Sequence, residues 1–191
     1  MSSRSFVRWG ILAHGLAVAA CADMAPPGVA ARALPAYQGR AAELFDDAIE
    51  ASAVGYDLGG MGPKKVARDL AELAQSADSI VRARVVTVTV DPGPSGASWQ
   101  VGLHPVATVG GTSPSDEDFT LVIRSSDPSS GLLRAVEQHL VGTTFVAFTR
   151  EFVAISGEQG PPVPALHFHI VRDSREELDA IRAALVLGEV R

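Results

Sequence analysis

Two histidines, His167 and His169, flank Phe168 near the C-terminal end of the chain. Alternate side chains of an extended strand share a face, which puts both imidazoles on one side, ~7 Å apart. Imidazole suits zinc, copper and nickel, and a third ligand from a neighbouring strand would complete a site. His104 and Asp173 are the candidates for that ligand. The competing reading is two polar residues on the solvent face of a strand whose other face, Leu166, Phe168 and Ile170, is core.

The remaining chemistry-bearing residues form weaker patterns. Gly59-Gly-Met-Gly-Pro-Lys-Lys65 sits before a helical stretch, and helix N-termini bind phosphate. The P-loop spacing is absent, no Ser or Thr follows the lysines and no strand precedes them, so a connecting turn is expected. Ser130 and Ser156 each precede a glycine, but neither lies in G-x-S-x-G. His139 stands beside Glu137 on a predicted helix and reads as a surface residue. Arg82 and Arg84 share one face of a predicted strand. They would receive a carboxylate or phosphate, or pair with local acids. Trp99 falls on an apolar face and reads as core. No catalytic residue and no cofactor follow from these patterns, and the chain is expected not to be an enzyme.

The elements that must hold these residues follow from periodicity. Ala41, Leu44, Phe45, Ala48 and Ile49 recur at helical spacing across residues 40–52, and a second helix, opening near Pro63, carries Val66, Leu70, Leu73 and Ala77. From Ile80 the period becomes two. Val81, Ala83 and Val85 share one parity, and Val86, Val88 and Val90 take the other, which predicts a bulge or bend. A second strand carries Trp99, Val101 and Leu103, then Ala107 and Val109, with Pro105 marking an edge or bulge. Phe119, Leu121 and Ile123 define a third. A short helix with Leu132, Leu133, Val136 and Leu140 ends at Gly142. Thr143–Arg150 is a fourth strand, apolar on both faces, and the strand of His167 and His169 is the fifth. Ser174-Arg-Glu-Glu177 fits a capping box opening a terminal helix with Leu178, Ile181 and Leu185 on its stripe, stopping near Gly188.

The N-terminus carries an address. Arg4 and Arg8 precede an apolar run from Trp9 to Ala20, too short to span a bilayer comfortably. This is the layout of a secretory signal peptide over residues 1–20. Val18-Ala19-Ala20-Cys21 resembles the lipobox of bacterial lipoprotein precursors. That resemblance implies cleavage before Cys21, diacylglycerylation of its thiol and acylation (palmitate) of the new amine. Several acyl chains make a stable membrane anchor where one is marginal. Ala22, a residue other than Asp, leans towards the outer membrane by similarity to enteric lipoproteins. Three prolines among small residues make 21–38 a tether, 39–77 reads as a helical extension and 78–191 as the main domain.

The charge balance narrows the partners. The 191 residues carry 16 basic and 22 acidic side chains, net −6; cleavage removes Arg4 and Arg8 and takes the net charge to −8. Nucleic-acid binders show a basic footprint, so nucleic acid is not expected as a partner. Cys21 is the sole cysteine, which excludes an internal disulfide framework.

Three strands, a helix, two strands and a terminal helix is the element order of an OB-fold, a partly open Greek-key barrel. Ala77-Asp-Ser-Ile-Val-Arg-Ala-Arg-Val-Val86 and Val141-Gly-Thr-Thr-Phe-Val-Ala-Phe148 resemble segments of envelope proteins built on OB-like barrels of the netrin/tissue-inhibitor type. The expected fold is therefore α+β: a five-stranded antiparallel OB-like Greek-key barrel with flanking N-terminal helices and a C-terminal helix. The expected function is a non-enzymatic binding or assembly module, lipid-anchored in the bacterial cell envelope, with an envelope protein as partner. The alternative is a periplasmic metal-binding or metal-dependent protein using His167 and His169. Protease inhibition is not expected, because in the tissue-inhibitor family the free N-terminal cysteine amine is central and an acylated Cys21 does not supply one.

Overall fold

The computed structural model describes residues 33–56, 66–94, 96–112, 117–154 and 163–189. The signal-peptide segment, Cys21, Gly59–Lys65 and Ser156 lie outside the described residues. Leu34–Arg191 forms one compact unit. No described helix is long and apolar enough to cross a membrane.

The elements run α1 (Arg40–Leu44), β1 (Ala48–Ile49), a 3-10 turn (Ala51–Val54), α2 (Ala67–Ser76), β2 (Ser79–Gly93), β3 (Gly96–Gly111), β4 (Phe119–Arg124), α3 (Ser130–Leu140), β5 (Thr144–Ala154), β6 (Val163–Arg172) and α4 (Arg175–Glu189). The strands form one curled six-stranded sheet, a half-barrel, in the order β1-β6-β5-β2-β3-β4. Two features differ from a five-stranded antiparallel barrel. The sixth strand, β1, comes from the segment expected to be helix, and it pairs with β6 in parallel, Ala48 opposite His169.

The helix expected over 40–52 stops at Leu44. Asp47 adopts φ +53°, its N–H donates to the Phe168 carbonyl at 2.9 Å, and the Glu50 N–H donates to the Ile170 carbonyl at 3.0 Å. Pairing with β6 overrides a helical pattern too short to hold by itself.

The parity flip in β2 is where the sheet bends. Its register shifts between Val85 and Thr87. Ser79–Arg84 pairs with β5 and β3 together, whereas from Thr87 onward β2 pairs with β3 alone. At the departure point Val85 N–H donates to Thr143 O and Gly142 N–H to Val85 O. One strand thus serves both halves of the sheet. Pro105 is tolerated opposite Ala83, next to a second register shift and beyond the stretch of β3 that pairs with β4.

Each face of the sheet has its own core. Inside the curl, Val81, Ala83, Val85, Trp99, Val101, Leu103, Leu121, Ile123, Phe145, Phe168 and Ile170 pack with Leu133, Val136 and Leu140 of α3. Trp99 is buried as expected, its indole N–H donating to Glu137. On the outer face, Ile80, Val146, Phe148, Phe152 and Val171 pack beneath α1, α2 and α4. The capping box opens α4: the Glu177 amide donates to Ser174 Oγ at 3.2 Å, and the Glu177 carboxylate reaches the Ser174 hydroxyl rather than its amide.

Candidate functional site

The alternation of β6 settles which face the histidines occupy. Phe168 and Ile170 enter the inner core, so His167 and His169 share the outer face with Val171. That face is covered. His169 is fully buried and the side chain of His167 is 12% exposed, which corrects the expectation of a solvent face.

The chain segment between α1 and β1 does the covering, and it brings carboxylates. Asp47 lies 2.7 Å from His167 Nδ1 through Oδ2, while its Oδ1 accepts the Phe168 N–H at 3.1 Å. Asp46 Oδ1 lies 2.7 Å from His169 Nδ1, and Glu50 Oε1 is 3.5 Å from His169 Nε2. The left-handed turn at Asp47 lets two adjacent aspartates reach two alternate histidines on one strand. Tyr37 stacks on His167, rings 3.4 Å apart and 8° from parallel, and donates its hydroxyl hydrogen to the Phe45 carbonyl at 2.6 Å. Burial, then the Asp47, Asp46 and Asp127 carboxylates, hold the Tyr37 phenol above its ordinary value, so it keeps that hydrogen.

An aspartate holding a histidine is the orienting half of a general-base couple. Here the geometry is a clamp. Each Nδ1 has its own carboxylate, one ring is enclosed by protein, and the other is sandwiched against Tyr37 with Phe152 at its edge. The residues considered as a third metal ligand are engaged elsewhere: His104 pairs with Asp118 at 2.8 Å, and Asp173 takes a two-pronged contact from Arg82 at 2.9 and 2.7 Å. Among the described residues no group of three or more His, Cys, Asp or Glu is arranged to hold a metal ion. Ser130 donates to the Ser125 carbonyl, and His139 is exposed. Asp46, Asp47, Glu50 and Tyr37 were not singled out from the sequence. Asp46, Asp47 and Glu50 lie in the stretch 40–52 whose apolar spacing predicts a helix, and the pairing of β1 with β6 is what brings them to the histidines.

A second arrangement lies beside the clamp. A cleft of about 540 Å³ runs between β4 and the first half of β6, lined by Thr120, Val122, Arg124, Pro164, Leu166 and His167 among others. These are the two lateral edges of the half-barrel, because β1 covers β6 only at His169 and Ile170. The Arg124 N–H and carbonyl bond to Asp127, away from β3. By the alternation of an antiparallel ladder, the N–H and C=O groups of Thr120 and Val122 also point away from β3. On β6, Phe168 bonds outward to Asp47, so Leu166 presents N–H and C=O outward, and Pro164 only C=O. Among the described residues no carboxylate pairs with the exposed Arg124 guanidinium.

No protein-family model, no curated protein and no solved structure matches the chain.

Proposed function

We propose that the chain is a non-enzymatic binding module, tethered to the bacterial envelope through lipid on Cys21, whose ligand surface is the open seam between β4 and β6. The observation that carries this reading is the cleft itself: two strand edges with outward backbone groups line one slot. Natural sheets blunt or close their edges, and an unclosed one is a template for recognition. The best candidates for acid–base work, His167 and His169, are committed to holding β1 and α1 on the sheet.

The strand order supports an OB-like architecture. Pairing runs β6-β5-β2-β3-β4, with α3 inserted between β4 and β5. That order is the one expected of a five-stranded OB barrel parted between its third and fifth strands, with β1 added at the parting, and it supports this reading. The lipid address rests on Val18-Ala19-Ala20-Cys21, and the outer membrane on Ala22. A mature charge of −8 argues against nucleic acid as the partner.

Intact mass and detergent-phase partitioning of the protein from native membranes, with and without a signal-peptidase-II inhibitor, test the tether. A chain beginning at Cys21 and carrying acyl groups, found in the detergent phase, is the expected result. An unmodified Cys21 in the aqueous phase would remove the envelope reading.

A further inference from the structure

We infer that the seam takes an extended peptide carrying a carboxylate, which adds as a strand between β4 and β6 and places its acid against Arg124. This deepens the binding-module reading and rests on it.

Direction is the first argument. Each step from β6 through β5, β2 and β3 to β4 is antiparallel, so β4 and β6 run the same way. One inserted strand running oppositely is antiparallel to both edges at once. Thr120 and Val122 on one side, and Leu166 with the Pro164 carbonyl on the other, offer the backbone groups it would need. Antiparallel addition at a sheet edge draws its affinity from such main-chain bonds.

Charge is the second. Arg124 lines the cleft with an exposed guanidinium and no carboxylate partner among the described residues. The acid that lines the same cleft, Asp47, is already held by His167 and the Phe168 amide. A guanidinium presents a planar fork that matches a carboxylate. Val122 and Leu166, both exposed and both at the seam, supply apolar surface for alternate side chains.

The test is an NMR titration of the ¹⁵N-labelled full chain with two degenerate pools of capped octapeptides. Both pools mix Val, Ile and Thr; one carries a single Asp and the other Asn in its place. The Asp pool is expected to shift the amides of Thr120, Val122 and Leu166 together. Arg124→Gln should weaken that binding roughly tenfold, the worth of one charge-assisted contact, while leaving the rest of the spectrum in place. The same peptides methylated on their backbone nitrogens should not bind. No shift with either pool, shifts on one edge alone, or equal binding of both pools would overturn the inference. Edge amides that move with protein concentration alone would assign the seam to a second copy and overturn it as well. Failure here with an acylated Cys21 would sink the peptide and leave the tether. Peptide binding with an unmodified Cys21 would do the reverse.

Discussion

Replacing His169 with alanine tests whether the histidine pair is a clamp. His169 is fully buried between Asp46 at 2.7 Å and Glu50 at 3.5 Å, and the Glu50 side chain is only 4% exposed. Removing the hydrogen-bonding partner of a buried carboxylate costs about 3–5 kcal/mol, because that charge stays buried. Asp46 is a quarter exposed and regains some water, so the lower end applies, about 3 kcal/mol. His167→Ala should cost less, about 2 kcal/mol: it forfeits the Tyr37 stacking and one charge-assisted contact, but Asp47 keeps the Phe168 amide. His104→Ala is the control. It breaks a pair whose side chains are 47% and 60% exposed, a contact worth at most about 0.5 kcal/mol. With a urea dependence of ~2 kcal/mol/M, the unfolding midpoint should fall by about 1.5 M for His169→Ala and about 1 M for His167→Ala, and by at most about 0.25 M for His104→Ala. A His169→Ala midpoint no lower than that of His104→Ala would refute the clamp. Coupling below ~0.5 kcal/mol between His169→Ala and Asp46→Ala would refute the specific pairing.

Other perturbations have equally definite outcomes. Gly111 has φ +73°, and a methyl group there would stand 2.3 Å from the Asp78 carbonyl oxygen, whereas Gly142 at φ +91° has open space. Gly111→Ala should therefore lower thermal stability markedly more than Gly142→Ala, which costs only the ~1–2 kcal/mol of a left-handed residue; equal losses by calorimetry would contradict this. Tyr37→Phe removes the bond to the Phe45 carbonyl and keeps the ring on His167, so urea titration should show a loss of about 1 kcal/mol. Arg40, bonded to Glu72, Asp69 and Glu43, holds the Glu72 carboxyl below its ordinary 4.5. A depressed folded value gives stability that is present above pH 4.5 and lost as pH falls through the folded value. Arg40→Met should flatten the melting-temperature profile on the acid side, by a small amount because the network is exposed; an unchanged slope would show that the contact contributes nothing.

Local signals carried much of the fold. The parity flip after Val85 located the bend of β2, Pro105 marked a bulge, Trp99 read as core, and Ser174 with Glu177 announced α4. Those signals depend on neighbours in sequence. The stretch from Asp46 to Val54 failed because its conformation is decided by β6, some 120 residues away. Ala48 and Ile49 fit a helical stripe as well as an edge strand, and tertiary pairing chose between them. The histidines were legible as a pair on one face, but a face is solvent or buried only relative to what packs on it. Asp46 and Asp47, which decide that, lay in a segment read as helix. Arg124 gave no sequence signal at all, since its interest comes from the two sheet edges that meet beside it.

Amide hydrogen exchange along β4 and β6 tests the open seam most directly. The Thr120, Val122 and Leu166 amides should exchange within minutes at neutral pH, while those of Leu121, Ile123 and Phe168, bonded within the sheet or to Asp47, stay protected far longer. Protection of Val122 and Leu166 equal to that of their neighbours would mean that the edges are closed on each other, and the proposed binding surface would not exist.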